Sequence, residues 1–169
     1  MSAIASILPY FSERSILLIH KYKFSATDIP KSRIAIILEE PRNGNFLMAT
    51  TSASLILPPG NTFKEGIVKD MNGKILCYHF LKEKPVCEDN IFEFDLDCSV
   101  GLMRSYSVFP KNATTLANTY QASIIHKGKL SVEHFKELLY AIYKCPYMDG
   151  DTRELLLPCV EKYHGRLSA

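Results

Sequence analysis

The hydrophobic positions of the chain fall into two regimes. As far as about residue 125 they come in short runs or alternate with polar residues, the period of a β-strand. Beyond residue 131 they recur at helical spacing. Residues 15–24 (SILLIHKYKF) begin apolar and then alternate, predicting a strand that runs from core to surface. A polar loop follows over residues 25–30, with Pro30 keeping its predecessor extended. Residues 33–40 (RIAIILEE) form a β-branched run suited to a buried strand, and residues 46–51 (FLMATT) return as its partner. The connection, Pro41-Arg42-Asn43-Gly44-Asn45, contains the Asn-Gly step that favours a tight hairpin. A second hairpin is predicted from residues 66–70 and 74–81 around Met71-Asn72-Gly73. Residues 91–96 alternate Phe with acidic residues and read as an edge or half-exposed strand. Residues 116–125, rich in Thr, Tyr, Ala and Ile, read as a further strand ended by Lys127-Gly128-Lys129.

Ser131 is placed to cap a helix in which Val132, Phe135, Leu138, Leu139 and Ile142 share one face. Cys145-Pro146 ends it. A second helix is predicted to start around Asp151-Thr152-Arg153-Glu154 and to be kinked or interrupted at Pro158. Many short strands followed by helices describe an α+β chain, built on a small, strongly bent antiparallel sheet or barrel with C-terminal helices.

Composition narrows this little. The chain has 169 residues, enough for a single domain with a full core, and its net charge of +2 argues neither for nor against an anionic partner. Five cysteines lie at positions with no C-x-x-C spacing, consistent with free thiols in a reducing cytoplasm. The apolar stretch at residues 4–8 is too short to span a membrane, and it lacks the basic flank of a signal peptide. No His or carboxylate cluster has metal-ligand spacing, so neither a metal nor a cofactor is expected.

Candidate chemistry gathers at one end of the first hairpin. If residues 33–40 and 46–51 pair through Asn43-Gly44, then Arg33 and Thr51 converge, while Thr50 points to the opposite face. A guanidinium suits phosphate oxygens, and hydroxyls at Thr51 and Ser52 can hold a phosphate. Spacing alone also describes a surface arginine beside ordinary strand-end hydroxyls. Lys31 is either a further phosphate contact or a solvated lysine. Tyr10, Phe11, Tyr22 and Phe24 could stack exposed bases or fill the core. His20 and His79 sit in apolar strands, His126 stands beside Lys127 at a strand end, and His134 and His164 read as solvated helix residues.

The motif Lys31-Ser32-Arg33-Ile34-Ala35-Ile36-Ile37-Leu38, followed after a turn by an apolar strand ending in Thr51-Ser52, resembles the PemK/MazF toxin family. There the first strand begins Lys/Arg-Arg-Pro and the second closes on Thr-Ser or Thr-Thr. The stretch Tyr120-Gln121-Ala122-Ser123-Ile124-Ile125, with the basic turn and helix after it, is similar to that family's C-terminal signature. Together the two matches span residues 15–54 and 116–144. The chain departs in having Ile34 where the family has proline, in lacking Gly-Asp near the first strand, and in its longer segments at 58–111 and after Pro146. Its length is closer to the family branch controlled by RNA antitoxins. The resemblance implies an SH3-like β-barrel and a metal-independent endoribonuclease toxin that cleaves single-stranded RNA by 2′-OH attack. It further implies a protein or RNA antitoxin as partner, and a homodimer. Carried over, Arg33 is the catalytic arginine, Thr51 with Ser52 holds the scissile phosphate, and Lys31, Gln121, His126 and Lys127 contact RNA. The alternative is a catalytically silent barrel that binds RNA or a protein partner.

Overall fold

A computed structural model describes residues 8–53, 64–89, 91–103, 107–120 and 123–166. After a 3-10 turn at Leu8–Phe11 come β1 (Ser15–Tyr22), β2 (Lys31–Arg42), β3 (Asn45–Thr50), β4 (Gly66–Lys69), β5 (Ile75–Phe80), β6 (Cys98–Gly101) and β7 (Val108–Asn112). Helix α1 (Ala113–Tyr120), strand β8 (Ile124–Lys129), and helices α2 (Val132–Lys144) and α3 (Gly150–His164) complete the described chain. The strands form a five-stranded sheet ordered β7-β3-β2-β1-β8 and a three-stranded sheet ordered β4-β5-β6, with every strand pairing antiparallel.

The first hairpin follows the sequence pattern closely. Arg42 pairs with Asn45 across a two-residue turn, and Asn43 and Gly44 both have positive φ, 51° and 81°. That is the turn whose twist matches the strands. The β4–β5 hairpin is tied by Asp70, whose Oδ1 accepts from the Asn72 and Lys74 backbone N–H groups at 2.8 Å each.

Of residues 116–125, predicted as one strand, residues 116–120 are helical. Asn112 Oδ1 accepts from the Thr115 N–H at 2.9 Å and caps α1. Ala113, Leu116 and Ala117 then bury one helical face. The β-rich composition here is overridden by that cap and spacing, and β8 begins only at Ile124. Lys127-Gly128-Lys129 makes up the last three residues of β8. Ile16 pairs with Gly128 and Leu17 with His126, so Lys127 is the extra residue of a bulge. Gly128 has a φ of 133°, and a Cβ there would lie 2.9 Å from Cys87 Sγ. Residues 91–96 form no named strand; their pairing is confined to isolated bridges such as Glu93 with Pro85. Strands β6 and β7 are not among the predicted elements.

Both long helices stand where their periodicity places them. Ser131 Oγ accepts from the His134 N–H at 3.3 Å. Helix α3 starts slightly earlier than expected, because Asp149 rather than Asp151 is its cap, accepting from Thr152 N–H at 2.7 Å. Pro158 does not interrupt it: Pro158 itself is exposed, while Leu156, Cys159 and Val160 bury the opposite face.

The five-stranded sheet is covered on both faces, which is why β2 reads as a continuous apolar run. Ile16, Ile36, Leu38, Leu47 and Ala49 face the second sheet, α2 and α3. Leu17, Ile19, Ala35, Ile37, Phe46 and Met48 face the 3-10 turn and α1. No helix among the described residues is long and apolar enough to cross a membrane.

Candidate nucleic-acid interface

Strand alternation decides which predicted residues meet. Arg33 lies opposite Ile19 and two residues from Ala35, so it shares the face covered by α1. Thr50 pairs with Ala35 on that same face. Thr51 is therefore turned the other way. Its Oγ1 lies 3.5 Å from the Ile34 carbonyl, and its side chain hydrogen-bonds to Cys98 of the facing sheet. Ser52 and Ser99 exchange backbone hydrogen bonds at 2.8 and 2.9 Å. The expected convergence of Arg33 with Thr51 on one face is thus corrected. Thr51 and Ser52 belong to the seam between the sheets, and Thr50 is the hydroxyl on Arg33's side. That seam also holds a buried pair, His79 Nδ1 and Ser99 Oγ at 2.7 Å.

What Arg33 does meet is built by a bulge. Between Ile19↔Arg33 and Tyr22↔Lys31 the β1 strand carries one residue more than β2, and Lys21 takes a φ of 55°. Without that extra residue, alternation would send Tyr22 to the opposite face. With it, Tyr22, Lys31 and Arg33 share the wall of a cleft of about 640 Å³, closed on the other side by Phe24 and by Ser25, Thr27 and Asp28 of the β1–β2 loop. The Arg33 guanidinium carbon lies 5.4 Å from the centroid of the Phe24 ring, a cation–π distance.

The neighbouring strand extends this surface. Phe109 and Lys111 pair with Met48 and Phe46, whose side chains face the same way as Arg33. Lys111 Nζ sits 5.9 Å from the Tyr22 ring and 5.3 Å from that of Phe109. Tyr22 packs edge-on to Phe24 at 5.2 Å and against Tyr120 at 5.4 Å. Tyr22 itself is buried, while Phe24, Phe109, Tyr120, Arg33 and Lys111 are half-buried and Lys31 is exposed. Of the four aromatic residues singled out from the sequence, Phe11 is core and Tyr10 stacks on His126 at 5.1 Å, away from the cleft.

The loop over the cleft is held by Asp28. Its Oδ2 accepts the backbone N–H groups of Ser25 and Phe24 at 2.9 and 3.1 Å, and these donors keep its carboxyl below the usual carboxylate range. Asp28 is the only carboxylate lining the cleft among the described residues, and no histidine lines it.

The remaining predicted contacts lie elsewhere or outside the described residues. Gln121 is not among them. His126 and Lys127 sit on β8, two strands from β2; burial pulls the His126 pKa down. His20 bonds Ser32, which alternation puts on the far face from Arg33, at 2.9 Å. His134 and His164 are not simply solvated, since His134 Nδ1 contacts Tyr78 Oη at 2.9 Å and His164 Nε2 the Lys136 carbonyl at 2.8 Å. All five cysteines are buried, and burial pushes Cys77 and Cys87 up to about 11 and Cys98 and Cys159 up to about 12. Such thiols are poor nucleophiles. No group of three or more His, Cys, Asp or Glu among the described residues is placed to hold a metal ion.

Sequence reasoning reached Lys31, Arg33, Tyr22 and Phe24 but missed Asp28, Phe109, Lys111 and Tyr120 as part of the same surface. The alternation Phe109-Pro110-Lys111 was a usable strand signal; its pairing with β3 was not visible in the sequence. No family model, curated protein or solved structure matches this chain.

Proposed function

We propose that this protein binds single-stranded RNA in the cleft under the β1–β2 loop. The observation that carries the reading is the interleaving of cations and rings on one face, Arg33 against Phe24 and Lys111 against Tyr22 and Phe109. The cations attract phosphates and the rings offer stacking to unpaired bases, the combination by which single strands are held. Lys31 and Arg33, two apart on one strand, stand about 6.6 Å from each other along it, suited to successive phosphates.

A second reading, that the bound strand is cut, is favoured by Asp28 and Arg33 lining the same cleft. In that reaction the RNA's own 2′-OH attacks the adjacent phosphorus and Asp28 accepts its proton. Arg33 stabilises the charge that builds on the phosphorane, and the bond to the 5′-oxygen breaks as that oxygen takes up a proton from water. The products carry a 2′,3′-cyclic phosphate and a 5′-OH. Thr51 and Ser52, to which the sequence reading assigned the scissile phosphate, do not line the cleft. With the sequence resemblance, such cleavage makes the protein an endoribonuclease toxin of the PemK/MazF kind. It would have an SH3-like barrel, form a homodimer and be restrained by a protein or RNA antitoxin.

Fluorescence anisotropy with a labelled single-stranded RNA tests binding. Affinity is expected to fall with added salt, and Arg33→Ala to reduce the salt slope by about one. Mass spectrometry of the strand ends tests cutting. Cyclic-phosphate ends formed in EDTA, with the rate lowered about 100-fold or more by Arg33→Ala, are the expected result. Arg33→Lys should restore it only in part, because an ammonium lacks the planar fork. A strand that is bound and never cut leaves the silent RNA-binding barrel; a protein that binds no RNA ends both readings.

A further inference from the structure

We propose that Asp28 makes the cleft selective for guanine, an inference that rests on the RNA-binding reading above. Toward a strand that is bound and not cut, a carboxylate set against phosphate only repels it. Lys31 and Arg33 supply the phosphate-facing wall of the cleft from β2, and Asp28 stands in its loop wall among the hydroxyls of Ser25 and Thr27. Its surroundings therefore suit the base rather than the backbone of a bound strand.

The carboxylate is also held in a defined orientation. Both loop N–H groups donate to Oδ2, and the Ser25 hydroxyl also hydrogen-bonds the carboxylate; its remaining acceptor capacity is what a ligand in the cleft can use. An ionised carboxylate accepts and cannot donate, so the base it favours is the one presenting adjacent donors. Guanine offers N1–H and the N2 amino group side by side. Uracil has only N3–H on that edge, flanked by carbonyls, and adenine and cytosine each have one amino group beside a bare ring nitrogen. The base would lie on the Asp28 side of the cleft, with the strand's phosphates toward Lys31 and Arg33.

The test uses the full chain and short labelled oligouridine strands carrying one central guanosine, inosine, adenosine, cytidine or uridine. A 2′-deoxy sugar at that position prevents cutting. The guanosine strand should bind about tenfold or more tighter than the uridine strand, the scale of a hydrogen bond to a charged group. Inosine, which lacks only the N2 amino group, should fall between. Asp28→Asn retains an oxygen for the Ser25 and Phe24 N–H groups while replacing the other with an amide nitrogen. It should abolish the guanosine preference, so that the guanosine and uridine strands bind the variant equally. Equal affinity for all five strands overturns the proposal, as does a guanosine preference that survives Asp28→Asn. Because the inosine comparison uses the unaltered protein, it stands even if the variant folds poorly. Failure of the RNA-binding reading looks different: no strand binds, or Arg33→Ala binds all of them as well as the parent does.

Discussion

Arg33 and Thr51 are separated by the sheet that carries them, and this gives their variants different signatures. Thr51 is buried with its hydroxyl directed at Cys98 and the Ile34 carbonyl. Thr51→Ala is expected to cost about 1 kcal/mol of stability in urea denaturation while leaving RNA affinity unchanged; Arg33→Ala should do the reverse. A loss of RNA affinity in Thr51→Ala at full stability would return the hydroxyl to the site. The thiols offer a second measurement at this scale. With all five buried and four raised to about 11 or 12, the native protein should react slowly with a disulfide reagent and release five equivalents only on unfolding. A fast-reacting thiol in the native state would contradict the packing described.

At the scale of elements, the parts legible in sequence are those whose signals are local. Asn43-Gly44 specifies its turn through backbone conformation alone, and Ser131 caps α2 within a single turn of chain. Gly44→Ala should be costly, since φ is 81° and the new Cβ would lie 3.3 Å from Asn112 Nδ2. A loss of about 1 kcal/mol or more in thermal or urea unfolding is expected. Helix α1 illustrates the opposite case. Its Thr, Asn and Tyr residues have weak helical propensity, and only the Asn112 cap and the burial of Leu116 beneath the first sheet make it a helix. The bulge at Lys21 was equally hidden. Nothing in SILLIHKYKF says that the register slips there, yet the slip puts Tyr22 beside Arg33.

For the whole molecule, the junction of the two sheets predicts a pH dependence. Burial depresses the His79 pKa, with Asp97 and Glu65 opposing that shift, and burial lowers His126 as well. Well above pH values of about 6.5 these groups are neutral in both states and stability is complete. As pH falls below that value the unfolded chain takes up protons that the native state resists, and stability is lost as pH approaches the depressed native values. The unfolding free energy should therefore fall between pH values of about 7.5 and 5.5, and His79→Gln, which cannot titrate, should flatten part of that slope. An unchanged slope would place the response elsewhere. The sequence by itself determined the α+β class, the antiparallel start, the first hairpin, the two long helices and the basic opening of β2, because periodicity, turns and caps act over a few residues. Only the tertiary structure decided which side chains meet. Pairing register and one bulge, set by packing on both faces of a sheet, turned Thr51 into the seam and brought Arg33 to Phe24 and Asp28, since a shift of one residue along a strand exchanges its faces.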